Sequence, residues 1–162
     1  MGTPSVNHLR HIASLTFLVL IFGSIASGQL PPPSVPFETI EKYSFGGHRE
    51  KNNYVITNRE DWQSLWNVAH SNLEPRPPLP EVDFSERMII AVFQGEQLTG
   101  GYTITVTDLV KKGRKLRVKV REVSPGASCG VVAALTQPYH IIETDKARKV
   151  RFDVQQETKD CQ

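Results

Sequence analysis

VDFSERMIIAVFQGEQLTGGYTITV, residues 82–106, divides into a strand, a glycine loop and a second strand. Met88 to Phe93 is an unbroken apolar run rich in β-formers, which reads as a strand covered on both faces. Tyr102 to Thr107 alternates strictly. Tyr102, Ile104 and Val106 share one face, and Thr103, Thr105 and Thr107 share the other. Between the strands, Gly95, Gly100 and Gly101 mark places where the backbone can take positive φ or pass close to another segment. Asp83, Ser85 and Glu86 form a turn leading into the first strand.

C-terminal to this stretch, Leu116, Val118 and Val120 alternate with Arg117, Lys119 and Arg121, predicting a hairpin partner with one buried and one basic face. Lys111, Lys112, Arg114 and Lys115 in the preceding turn extend that basic face. Two readings of it stay open. One is a solvated hairpin tip that resists edge pairing, and the other is a site for an anionic glycan or membrane surface. Pro125-Gly126 makes a turn, and Gly130 to Leu135 (GVVAAL) is the next apolar segment. Gln137-Pro138-Tyr139 breaks the chain before Ile141 and Ile142. A last alternating strand puts Val150, Phe152 and Val154 inward.

N-terminal to it, one helix is predicted from Arg59 to His70. Asn58 is its N-cap, and Glu60 and Asp61 complement its dipole. Trp62, Leu65, Trp66 and Ala69 make its apolar stripe, and packing is the favoured role for both tryptophans. His70 reads as a dipole-complementing surface group. Phe37 to Phe45 and Asn53 to Thr57 read as short strands. The proline-dense residues 71–84 read as a surface connection that returns Val82 and Phe84 to the sheet. The fold class is α+β, mainly antiparallel β in a sandwich-like sheet with one packed amphipathic helix.

The beginning of the chain has a different character. His8, Arg10 and His11 precede a mostly apolar run from Ile12 to Ile25, and Ala26-Ser27-Gly28 supplies small residues. This predicts a secretory signal over residues 1–28, cleaved before Gln29. The competing reading is a retained anchor, for which the run is short, since a bilayer takes about 20 apolar residues. Residues 29–36 (QLPPPSVP) form a proline-rich spacer, and residues 37–162 form a single β-rich domain. The expected location is secreted or extracellular, or periplasmic in a Gram-negative source. No membrane association is expected after cleavage. Cys129 and Cys161 are the only cysteines, and an oxidising compartment favours their pairing in a disulfide.

With 19 Lys+Arg against 17 Asp+Glu, the charge is close to balanced and gives no support for nucleic-acid binding. His48, His70 and His140 share no metal-ligand spacing with each other or with the cysteines. Ser128 stands in a GxSxG pattern, Gly126 to Gly130, but no helix is predicted after it, so the strand-to-helix turn of a nucleophile elbow is missing. The GEQLTGG loop lacks a phosphate-binding lysine and opens no helix. The expectation is a chain without catalytic residues, metal or cofactor.

Several stretches taken together resemble the C-terminal domain family of PrcB, a protease-complex subunit. They are Trp62–Leu65–Trp66, Val82–Phe84, MIIAVFQGEQLTGGY, LRVKVREVSPG at Leu116–Gly126 and TQPYHII at Thr136–Ile142. The resemblance covers about Tyr54 to Val154. It implies a non-catalytic exported module whose partner is a secreted or cell-surface protease, and it brings no catalytic residues. The chain departs from the namesake in lacking a lipoprotein cysteine. The TGGY loop is also similar to the TTGY-type loop of chagasin-like protease inhibitors, from which its second glycine departs. Thr99, Gly100, Gly101 and Tyr102 are therefore the candidate partner-binding residues, as subunit contact or as inhibitor loop. An anionic glycan or surface-binding module is the third class.

Overall fold

The apolar run of residues 88–93 needs cover on both faces, and the structure supplies it from two different layers. The structure is a computed structural model that describes residues 1–2 and 33–161. The residues read as the signal, and the first four of the spacer, lie outside the described residues, apart from Met1 and Gly2. The elements are β1 (Phe37–Tyr43), β2 (Lys51–Ile56), α1 (Arg59–Ala69), β3 (Arg87–Gln94), β4 (Thr103–Lys112), β5 (Lys115–Pro125), β6 (Tyr139–Asp145) and β7 (Lys149–Lys159). One sheet has the order β1-β6-β3-β2 and the other β4-β5-β7. Along β3, Ile89, Ala91 and Phe93 face a core shared with α1, while Met88, Ile90 and Val92 face the second sheet. The layers are therefore helix, four-stranded sheet and three-stranded sheet.

The expected α+β class holds, with one refinement. Most strand pairs are antiparallel, but β7 runs parallel to β5. A tight hairpin joins β4 to β5, whereas β6 lies in the other sheet, so β7 returns to β5 by a crossover. On β7 the inward face is incomplete: Val150 and Phe152 pack on the core, while Val154 is exposed. The described part of the spacer does not stand free. Val35 donates its N–H to the Leu109 carbonyl, and Ser34 bonds the Asp108 carboxylate.

α1 begins as its cap predicts, with the Asn58 side chain accepting from the Asp61 N–H at 2.9 Å. Trp62 and Trp66 are buried, and their indole N–H groups reach the carbonyls of Pro80 and Pro77. A proline-dense segment lacks donors but keeps its acceptors, so the two indoles strap residues 71–84 across the helix. From that strap, Leu79, Val82 and Phe84 pack onto the core shared by α1 and β3.

His70 corrects the sequence reading. It is fully buried at the C-cap of α1, not on the surface. Its Nδ1–H donates to the Trp66 carbonyl, and its Nε2 lies 2.7 Å from Glu41 Oε2 on β1. The same carboxylate oxygen accepts the Tyr139 hydroxyl at 2.8 Å. Burial pushes the Tyr139 phenol well above its ordinary range, and its bond to Glu41 pushes it further.

A second buried histidine joins the sheets. His140 on β6 accepts the Val106 N–H at Nδ1, where the pairing of β4 with β5 shifts register. That bond puts the ring proton on Nε2, which donates to Thr39 Oγ1. Burial, with Lys42 adding a smaller effect, pushes the imidazole down to about 4. A lowered folded-state value means that the unfolded chain binds the proton first. The stabilisation is therefore whole above about pH 6.5 and lost as pH falls toward 4.

Two stability measurements follow from this packing. Trp66→Ala should cost roughly 3–5 kcal/mol in urea unfolding, and Gln63→Ala, on the exposed face, less than about 0.5 kcal/mol. Between pH 6.5 and 4 the unfolding free energy should fall by up to roughly 3 kcal/mol from His140, and His140→Gln should flatten that dependence.

Candidate functional site

The glycine loop, residues 95–102, is laid against the segment that follows β5 and is tied to it along its length. Gln97 and Thr136 exchange both backbone hydrogen bonds, at 2.7 and 2.9 Å. The Gly100 N–H donates to the Val132 carbonyl at 2.9 Å, and the Thr136 hydroxyl donates to the Thr99 carbonyl at 2.9 Å. This seam makes two loops into one surface.

The glycines have different roles. Gly95 and Gly101 have φ of 80° and 88°, whereas Gly100 is not among the positive-φ residues. A Cβ on Gly101 would also stand 3.0 Å from Pro125 Cβ and Val131 Cγ1. Gly101 is required twice over, by its backbone conformation and by this close approach. A Cβ on Gly100 would meet Val132 at an ordinary 3.7 Å.

Cys129 and Cys161 form the expected disulfide, with Cα atoms 4.8 Å apart. It ties the loop after β5 to the residues beyond β7. Closing a loop of this length stabilises by roughly 3–4 kcal/mol in the chain-entropy picture. The Gly126 N–H adds a bond to the Lys159 carbonyl, and Ser128 bonds the Cys161 backbone. Gly101, Pro125, Val131, Val132 and the disulfide line a shallow depression of about 250 Å³.

The structure brings Thr99, Gly100, Gly101 and Tyr102 to this surface together with the disulfide. Gly101 is exposed and the other three are half-buried. Tyr102 belongs to neither core cluster. The most exposed side chains are ones the sequence reading did not select. Leu98 is 81% exposed and Val132 72%, and Leu135 is also exposed. Phe45, bridged to Gln137 beside the same seam, is exposed as well. The signal was present in GVVAAL, an apolar segment too short of β-formers at alternate positions to make a strand. Lone exposed apolar residues are ordinary, whereas these are grouped on neighbouring loops tied together by the backbone seam.

Among the described residues no group of three His, Cys, Asp or Glu side chains is placed to hold a metal ion. None of the described helices is long and apolar enough to cross a membrane.

Gly101→Ala should destabilise the fold by roughly 1–3 kcal/mol, and Gly100→Ala should stay within about 0.5 kcal/mol. Chemical unfolding of the two variants beside the wild type checks the contrast.

Compared with known proteins, residues 88–145 match the family model described as PrcB C-terminal. The resemblance read from the residues therefore holds over β3 to β6, the stretch that carries both loops of the surface. No curated protein and no solved structure gave a match.

Proposed function

We propose that this chain is an exported, non-catalytic protein-interaction module that serves as an accessory subunit of a protease complex. Its contact surface is the paired loops around Leu98 and Val132. The observation that carries the reading is an apolar group held out to solvent on loops fixed by a backbone seam and a disulfide. Rigid presentation lowers the entropy cost of association, so apolar area there is worth more than on a mobile loop. The disulfide is compatible with an oxidising compartment, which supports export.

The loop's posture favours a subunit over an inhibitor. A wedge that enters a protease cleft has to project, whereas Gly101 packs down against Pro125 and Val131. The surface is broad and shallow, suited to docking on another surface. Tyr102 contributes area at its edge as a half-buried ring.

The test is co-purification of secreted protease activity from the source culture on immobilised protein, with proteolysis followed after addition of the free chain. Leu98→Arg and Val132→Arg should each weaken capture by about 30-fold, equivalent to roughly 2 kcal/mol. Val68→Arg, an exposed apolar position on α1 away from the loops, should leave capture unchanged. Sustained proteolysis in the presence of the wild-type chain fits a subunit. Lowered proteolysis would replace this reading with an inhibitory one, and capture that ignores both loop variants would remove the loops from the contact.

A further inference from the structure

The other end of the three-stranded sheet carries a different surface. β4 is 10 residues long, so its hairpin tip lies roughly 30 Å from the glycine loop. There the β4–β5 turn meets the β6–β7 turn, and the two contribute cations of one sign. The pairing register places Lys112 opposite Lys115, Lys115 opposite Lys149 and Arg117 opposite Arg151. Like charges directly across strands are destabilising, and here a lysine row crosses all three strands. Sequence alone showed only the hairpin half of this arrangement, because the parallel pairing of β7 with β5 brings in the rest.

Counter-charges are scarce. Among the described residues, Lys112, Lys115, Arg148, Lys149 and Arg151 form no ion pair, and Arg117 reaches Asp153 only at 3.9 Å. All of these cations are exposed. They line a groove of about 700 Å³, and a neighbouring depression of about 570 Å³ shares Arg114, Lys115 and Arg148 with it. Edge protection places lysines on edge strands, whereas Lys115 and Arg117 lie on the central strand β5, so it does not account for a row that crosses the whole sheet.

We propose that this groove binds an extended anionic polysaccharide, with sulfate or carboxylate groups seated along the Lys112–Lys115–Lys149 and Arg117–Arg151 rows. A polyanion would neutralise repulsion that the fold otherwise carries. Neither lining includes an aromatic side chain, so a single-stranded nucleic acid finds no stacking platform. None of the exposed large apolar side chains lies in the groove, so a membrane surface finds nothing to insert. A concave channel suits a chain better than a flat bilayer. This site is separate from the loop surface, and either can fail without the other.

The test uses the full chain and a heparin-derived decasaccharide, with binding followed by calorimetry at several salt concentrations. Two double variants, Lys115→Gln with Lys149→Gln and Arg117→Gln with Arg151→Gln, keep the aliphatic stems. Each should weaken binding by about 10-fold or more and flatten its salt dependence. Arg121→Gln with Lys159→Gln removes the same charge toward the far end of the sheet and should change binding by less than about 3-fold. Both groove variants should melt no lower than the wild type, since they relieve repulsion, and the decasaccharide should raise the wild-type melting temperature. With the wild-type chain alone, the desulfated oligosaccharide should bind far more weakly. The proposal is overturned if the decasaccharide does not bind at physiological salt or if the far-end variant loses as much as the groove variants. Tighter binding to a single-stranded oligonucleotide or to phosphatidylserine-containing vesicles would also overturn it.

Discussion

Every other element is arranged around the demand that β3 be covered on both faces. An apolar strand of this kind cannot lie at an edge or face water, so it takes an interior position between β6 and β2. The two sets of alternating side chains then need separate cover. The tryptophan stripe of α1 supplies one layer, and Ile104, Val106, Leu116, Val118 and Val120 supply the other. The single helix and the second sheet are both consequences of one stretch of sequence. The proline-dense connection is held in turn by the indole donors that the helix presents.

Apolar packing alone would let the two sheets slide, and buried polar contacts fix their alignment. His140 reaches across to the Val106 amide. Lys51 on β2 meets the buried Glu122 on β5 at 2.6 Å, and the Gln94 side chain donates to the Val123 carbonyl. Each contact is directional, and a shift of one residue would leave a buried group without its partner. The glycine loop between β3 and β4 is where the chain passes from one sheet to the other. Its geometry therefore depends on that alignment.

Much of this architecture was legible in the residues. The doubly covered strand, the capped helix and the basic-faced hairpin were all read from local periodicity and cap chemistry, which depend on neighbours in sequence. What was not legible depends on neighbours in space. His70 continues the Trp62–Trp66 stripe by one helical turn, yet its burial makes sense only once Glu41 arrives from β1. The parallel return of β7 follows from β6 joining the other sheet, which no local pattern encodes. The exposure of Leu98 and Val132 was hidden for the same reason, since apolar letters do not say whether a partner layer exists. Thr99, Gly100, Gly101 and Tyr102 lie on one surface with the disulfide, but Gly100 has neither the positive φ nor the close approach that its residue type allowed.

The histidine bond between the sheets has a consequence for how such a chain can change over generations. The register shift in β4 is tolerable because an acceptor at position 140 receives the Val106 amide. An apolar residue at 140 would strand that amide in a dry interior, and a β4 without the shift would leave the imidazole nitrogen without a donor. Either change alone is a liability, and the two together are close to neutral. Positions 106–108 and 140 should therefore drift as a linked set among relatives, with the shift in β4 and an acceptor on β6 inherited or lost together.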